Sequence, residues 1–415
     1  MDKSKKLQRK QKTQYRDQVV EVEVELQGKS KVHSNSRVLP NRESVNDETF
    51  DTSMLLEEVL ERNNMLLALK RVISNKGSHG VDGMKIDELR EHIQKHWGTI
   101  KAKILETKYN PSPVRRVEIP KVDGGVRLLG IPTVQDRLIQ QAIAQVLTRI
   151  YEPIFSDNSF GFRPRRGTRD AIIKSKQYIN EGNKWVVDMD LEKFFDKVNH
   201  DILMGKLEKR GHKFCRYADD NNVYVKSKRA GIRVMESMTK LIENKLKLKV
   251  NKNKSAVDFV SKRKFLGFSF YFAKSGAEIR IHEKSIKRFK DKVKVYTNRN
   301  IGISMESRLK KLNQITRGWI NYYGIANAAE KLKELDKWIR RRLRACIWKQ
   351  WKKISTRHRN LIKLGINKYK AWEYANTRKG YWRISNSPIL RKSLNNKYLE
   401  SLGFVSLTQT YQMIH

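Results

Sequence analysis

The chain has 415 residues, with 88 Lys and Arg against 44 Asp and Glu, a formal charge of +44. A compact domain with that excess repels itself unless something anionic binds. No run of about 18 apolar residues exists to span a membrane, and two cysteines, Cys215 and Cys346, are too few for a disulfide scaffold or a four-cysteine zinc site.

Residues 1–50 read as a basic flexible arm. MDKSKKLQRKQK has no apolar stretch behind it, so it is not a secretory signal. From about residue 51, Met54, Leu55, Val59, Leu66, Leu69, Val72 and Ile73 recur at helical spacing, predicting one helix that stops in NKGSHGVDG (75–83). Residues 86–108 predict two more. A hairpin follows, with a strand at Val117–Ile119, a turn at Asp123–Gly125 and a return strand at Val126–Ile131. Residues 133–152 form an amphipathic helix. A loop containing GFRPRRGT (161–168) leads to a helix ending near Ile179. Trp185–Asp190 is an apolar strand ending in acids, and Asp196–Lys209 looks helical. Lys213–Ser227 is a hairpin about an Asp219–Asp220 turn. Residues 229–248 are an amphipathic helix, and strand-like pieces lie at Ala256–Val260 and Phe265–Phe272. From Glu283 onward the chain is basic and helical, with Trp, Tyr and Arg interleaved.

The polyanion is nucleic acid or an anionic membrane surface. With 8 Trp, 15 Tyr and 14 Phe among the cations, nucleic acid is the first reading, because bases stack on aromatic faces. Acids on apolar strands then need a reason. If the strand ending at Asp190 neighbours the hairpin tipped by Asp219 and Asp220, three carboxylates converge. Such hard oxygen ligands suit Mg²⁺, and two ions about 3.5–4 Å apart can activate a 3′-hydroxyl and stabilise leaving pyrophosphate. The bland alternative is a common Asp-Asp turn and a solvated strand end.

DLEKFFD (190–196) and YADD (217–220) resemble the two acidic motifs of a reverse transcriptase palm. The whole chain resembles the reverse transcriptase/maturases encoded by bacterial group II introns. NKGSHGVDG, VEIPKVDGGVRLLGIPTVQDRLIQQAI, SFGFRPRRGT, LKLKVNKNKS, FLGFSF and RGWINYYG (317–324) occur in the order of that family. The resemblance implies an α+β fold. Right-hand fingers (51–180, with the N-terminal part of the palm) and palm (181–282) are expected, with an antiparallel sheet and packed helices. An α-helical thumb/maturase domain (283–415) completes it. It implies metal ligation by Asp190, Asp219 and Asp220. Lys121 and Arg127 grip the incoming deoxynucleoside triphosphate, and their even separation puts both on one face of a hairpin. Phe194 or Phe195 packs against its sugar. Lys254 is a candidate proton donor to pyrophosphate, against an ordinary phosphate contact. FLGF supports the primer end or is simply a core strand.

Arg317, Arg340, Arg341, Arg342, Arg344, Lys352 and Lys353 are the candidates for intron RNA phosphates, through salt-dependent contacts. Trp338, Leu343, Ile347 and Trp351 are expected in the core. The implied partners are group II intron RNA and a DNA primer or target, with no membrane; a homodimer is allowed, and a bacterial cytoplasm is expected. Two cysteines cannot supply the metal-bound DNA-cutting domain that some members carry, so none is expected.

One departure stands out. Asp190 and Asp219 are 29 positions apart and no Pro-Gln-Gly-Gly string occurs, where the family has several tens more residues. This reads as an internal deletion that removes the floor and one wall of the nucleotide pocket. Two functions follow: an RNA-directed DNA polymerase with a shortened palm, or an RNA-binding splicing maturase that no longer polymerises.

Overall fold

The computed structural model describes residues 54–120, 124–189, 211–245, 250–251 and 254–415. They divide between Phe155 and Ser156 into two units.

In the first unit, α1 (Leu55–Val59) and α2 (Arg62–Asn75) replace the single helix expected from residue 54. The break has a local cause. The Glu61 carboxylate accepts hydrogen bonds from the backbone N–H groups of Asn63 (3.0 Å) and Asn64 (3.1 Å), starting a new helix. Residues 86–108 likewise differ: a 3₁₀ turn (Ile86–Glu88) leads into one helix, α3 (Leu89–Leu105). Strands β1 (Arg115–Pro120) and β2 (Val126–Ile131) pair antiparallel. Helix α4 (Val134–Tyr151) is N-capped by Thr133. Met65 and Ala68 of α2 pack with Leu138, Ala142 and Val146 of α4. Buried Asp136 accepts from Tyr109 Oη (2.6 Å), Ser112 N (3.1 Å) and Thr133 Oγ1 (2.5 Å), tying the preceding loop to the helix start.

The second unit begins with α5 (Thr168–Asn180) and strands β3 (Trp185–Met189), β4 (Lys213–Tyr217) and β5 (Asp220–Val225). Helix α6 (Lys228–Lys240) ends in a π turn, Leu241–Lys245, and β6 (Ala256–Phe259) follows. The sheet order is β4-β5-β3-β6, every pair antiparallel. Alternation sorts the faces. Val187, Met189, Phe214, Val223 and Val225 pack with Val234 and Met238 of α6. Val186, Cys215 and Tyr224 belong to the larger core with Ala171, Ile172 and Ile179 of α5. Strands β7 (Phe268–Ala273) and β8 (Gly276–Ile281) form a hairpin whose second strand the sequence pattern did not reveal.

Helices α7 (Glu283–Tyr296), α8 (Met305–Tyr323), α9 (Ala329–Gln350), α10 (Ile354–Lys363), α11 (Lys368–Ala375), α12 (Tyr381–Ile384), α13 (Pro388–Ser393), α14 (Asn396–Ser401) and α15 (Leu407–Ile414) complete the chain. Leu343 and Ile347 are buried as expected, and so is Trp348. Trp338 and Trp351 are partly buried against the core. Asp336 of α9 is buried and holds the start of α15. It accepts from Leu407 N and Thr408 N (both 2.9 Å) and from the hydroxyls of Ser406 (2.6 Å) and Thr408 (2.7 Å).

Candidate active site and nucleic-acid interface

The β4/β5 register closes with Tyr217 opposite Asp220, so Ala218–Asp219 is a two-residue loop. Ala218 takes the left-handed conformation, φ 55°. Asp219 and Asp220 are exposed at this tip. Met189 pairs with Asn221, so the strand leading into Asp190 ends beside the residue that follows Asp220. Asp190 itself lies outside the described residues, as do Lys121, Phe194 and Phe195.

The turn rests on the loop before α5. Phe160 N donates to Arg216 O, and Arg216 N to Asn158 O, both 2.9 Å. Gly161 sits so close that a Cβ there would lie 2.4 Å from Ala218 N. Within the GFRPRRGT segment, Arg163 is buried and donates to Ser159 O (2.9 Å), so that arginine braces its own loop.

Asp188 stands opposite Asn222 and so shares a sheet face with Asp220. It is ion-paired with Arg263, whose Nη2 also donates to Lys254 O (3.1 Å). The Lys254 backbone is thereby tethered to β3. The sequence reading missed this pair, although the period of two from Asp190 to Asp188 was available to signal it.

The FLGF segment is a tight turn. Phe265 and Phe268 exchange backbone hydrogen bonds of 3.0 and 2.9 Å, with Leu266 at φ 50° and Gly267 at φ 87°. Both phenylalanines are buried. Tyr322 Oη donates to Leu266 O (2.9 Å); Ser285 Oγ (2.9 Å) and His282 N (3.1 Å) donate to Gly267 O. Of the neighbouring side chains, Tyr322 and Lys264 sense the acidic turn. Burial pushes the Tyr322 hydroxyl up to about 12, with Asp220 adding to the rise. Desolvation lowers Lys264, repulsion from Arg288 lowers it further, and Asp220 opposes both. His282 is lowered by desolvation, then by Lys264 and Lys284.

Among the described residues, no group of three or more His, Cys, Asp or Glu gathers as a metal site. Asp219 and Asp220 nonetheless offer paired carboxylate oxygens at an exposed turn, the donor chemistry that Mg²⁺ takes. Their donor chemistry fits such an ion; Asp190, the third expected carboxylate, lies outside the described residues.

In the first unit, Arg127 is exposed and stands directly opposite Ile119. The register keeps the odd-numbered residues of both strands on one face.

The C-terminal cations, grouped as one set by the sequence, separate in the structure. Arg317, Lys352 and Lys353 are exposed and Arg340 is half-buried. Arg341 lies over the Trp382 ring, 3.9 Å from its centroid, and donates to Trp382 O (3.0 Å). Arg342 donates to the hydroxyl (2.5 Å) and carbonyl (3.2 Å) of Thr297. Arg344 is buried and donates to Ser385 O (3.0 Å). Desolvation, then Arg340, Arg391 and Arg341, lower it to about 10. Arg342 and Arg344 therefore brace α9 against its neighbours.

Two families match parts of the chain. Residues 119–213 match the reverse transcriptase (RNA-dependent DNA polymerase) family, and residues 286–365 match the group II intron, maturase-specific domain. The chain is 33% identical over 170 residues to Protein YkfC of Escherichia coli, covering 40% of this chain and 45% of that protein. It is 34% identical over 177 residues to the group II intron-encoded protein LtrA of Lactococcus lactis subsp. cremoris, covering 41% of this chain and 28% of that protein. The matched stretches thus span less than half of either relative.

Proposed function

Because the chain belongs to the group II intron reverse transcriptase/maturases, we propose that it copies intron RNA into DNA by nucleotidyl transfer and binds that RNA to assist its splicing. The observation that carries the polymerase half is the acidic tip of β4/β5. Asp219 and Asp220 are exposed there, in one antiparallel sheet with the strand that leads into Asp190.

In this reading Asp190, Asp219 and Asp220 hold Mg²⁺, which would polarise the primer 3′-hydroxyl and neutralise charge on the leaving pyrophosphate. Arg127, with Lys121, holds the triphosphate of the incoming deoxynucleotide, and Phe194 or Phe195 packs on its sugar. Lys254, whose backbone carbonyl accepts from Arg263, makes a phosphate contact or donates a proton to pyrophosphate. The Leu266–Gly267 turn supports the primer end. The RNA half rests on the maturase-specific segment and its exposed cations, including Arg317, Lys352 and Lys353. Among the described residues no helix is long and apolar enough to cross a membrane, and a bacterial cytoplasm belongs to the same proposal.

A second reading has a specific observation behind it. The reverse transcriptase match stops at residue 213, before Tyr217–Asp220, and only 23 residues, 190 to 212, separate β3 from β4. A chain that lost its nucleotide pocket there would remain an RNA-binding maturase. Primer extension on an RNA template with a DNA primer, Mg²⁺ and four deoxynucleotides separates the two. Product from the parent chain that vanishes in Asp219→Ala/Asp220→Ala supports polymerase function. No product from folded protein that still binds intron RNA leaves the maturase alone.

A further inference from the structure

Large aromatic side chains are normally covered in a folded protein. Around α10–α12 three are not: Tyr369 is 78% exposed, Trp372 55% and Trp382 41%. Residues 351–395 surround them with 12 Lys and Arg against a single acid, Glu373. Most of this stretch lies beyond the maturase-specific match, which ends at residue 365.

Two of the rings are braced by neighbours. The His358 ring meets Trp372 edge-on, with centroids 5.3 Å apart and planes at 87°. Trp382 carries the Arg341 guanidinium at 3.9 Å, and Arg341 is itself pinned by its bond to Trp382 O. Helix α11, which carries Tyr369 and Trp372, is tied to α10: Arg357 of α10 donates to Ala375 O at the end of α11 (3.5 Å) and to Trp351 O (2.9 Å). Tyr369 stands in the first turn of α11, which Asn367 caps through Tyr369 N (2.9 Å). Trp372 and Trp382 are thus braced on short, tethered helices, with less side-chain freedom left to lose on binding.

Exposed flat rings in a field of unbalanced positive charge match one ligand chemistry: a polyanion that also offers π faces. Duplex RNA hides its bases within the stack and exposes phosphate and ribose; unpaired nucleotides expose both phosphate and base. We propose that Tyr369, Trp372 and Trp382 are stacking positions for unpaired RNA bases, and that this region distinguishes looped or single-stranded RNA from duplex. The inference deepens the RNA-binding half of the proposed function and rests on it. Phosphate contacts supply attraction to any RNA. The rings supply preference for bases that are out of the helix.

The test uses the full chain and a fluorescein-labelled oligoadenylate of about a dozen nucleotides, a length within the range of known single-strand sites. It is compared with the same strand annealed to its complement, with binding read by anisotropy across a salt series. Tyr369→Ala and Trp372→Ala should each weaken single-strand binding about tenfold and leave duplex affinity and the salt slope unchanged, since no cation is lost. Tyr369→Phe should restore wild-type affinity. Both positions are exposed, so folding of the variants is checked by circular dichroism and expected to be unaltered. Alanine variants that bind single strands as tightly as the parent overturn the inference, and the rings then face a protein or solvent. Equal losses for single strand and duplex overturn it too. If the parent chain binds neither probe nor structured intron RNA, the RNA-binding reading falls as well, which separates the two failures.

Discussion

At the scale of single residues, charge and space decide what each position does. His282 N-caps α7: its Nδ1 accepts from Lys284 N at 3.1 Å. Protonation removes that acceptor, and His282 already sits below the ordinary histidine value of 6.5 through desolvation and its lysine neighbours. The unfolded chain therefore binds the proton more readily, so stability from this group is complete above about pH 6.5 and is lost as pH falls through the lowered value. Thermal unfolding from pH 8 to 5 should show this decline, and His282→Asn, which keeps a cap without titrating, should flatten it. Gly161 is a question of space. Alanine there must displace the Ala218 backbone, and a denaturation midpoint should report a loss of about 1–3 kcal/mol. Asp219→Ala is the opposite case. Its side chain is exposed, so stability and RNA affinity should stay near parental values while DNA synthesis disappears in primer extension.

At the scale of elements, hydrogen-bonded clasps hold segments that their own propensity would not. Asp336 accepts four hydrogen bonds from the start of α15, a helix of only eight residues. Asp336→Ala leaves the Leu407 and Thr408 amides without their acceptor. Urea unfolding should register a cost of about 3 kcal/mol, with α15 among the first segments to lose hydrogen-exchange protection. Clasps of this kind are what the sequence did not disclose. The long amphipathic helix α4 and the Tyr217–Asp220 turn were legible, because period and turn chemistry are local. The Glu61 break was not: a carboxylate turning back on two amides leaves no trace in hydrophobic spacing. The β8 strand was missed because GAEIRI has only two strong apolar residues and depends on its partner. The arginines of α9 were read as one outward set because sequence shows charge and not the backbone oxygens of Thr297 and Ser385 that receive it. The acid pair of the candidate site was legible, whereas Asp188, Arg263, Lys264 and Tyr322 meet it only through the fold.

At the scale of the whole molecule, the sheet determines what the short link between β3 and β4 can mean. Both strands lie antiparallel to β5, one on each side, so they run parallel to each other. A connection between two parallel strands of one sheet needs a crossover of about a dozen residues or more, and 23 are present. The order β4-β5-β3 is therefore compatible with a link this short. The described sheet thus sets a lower bound on this link: strand order asks only that the chain can cross over, whereas catalysis by positioning asks where each group stands. The two demands fall on the same stretch of sequence and need not be met together.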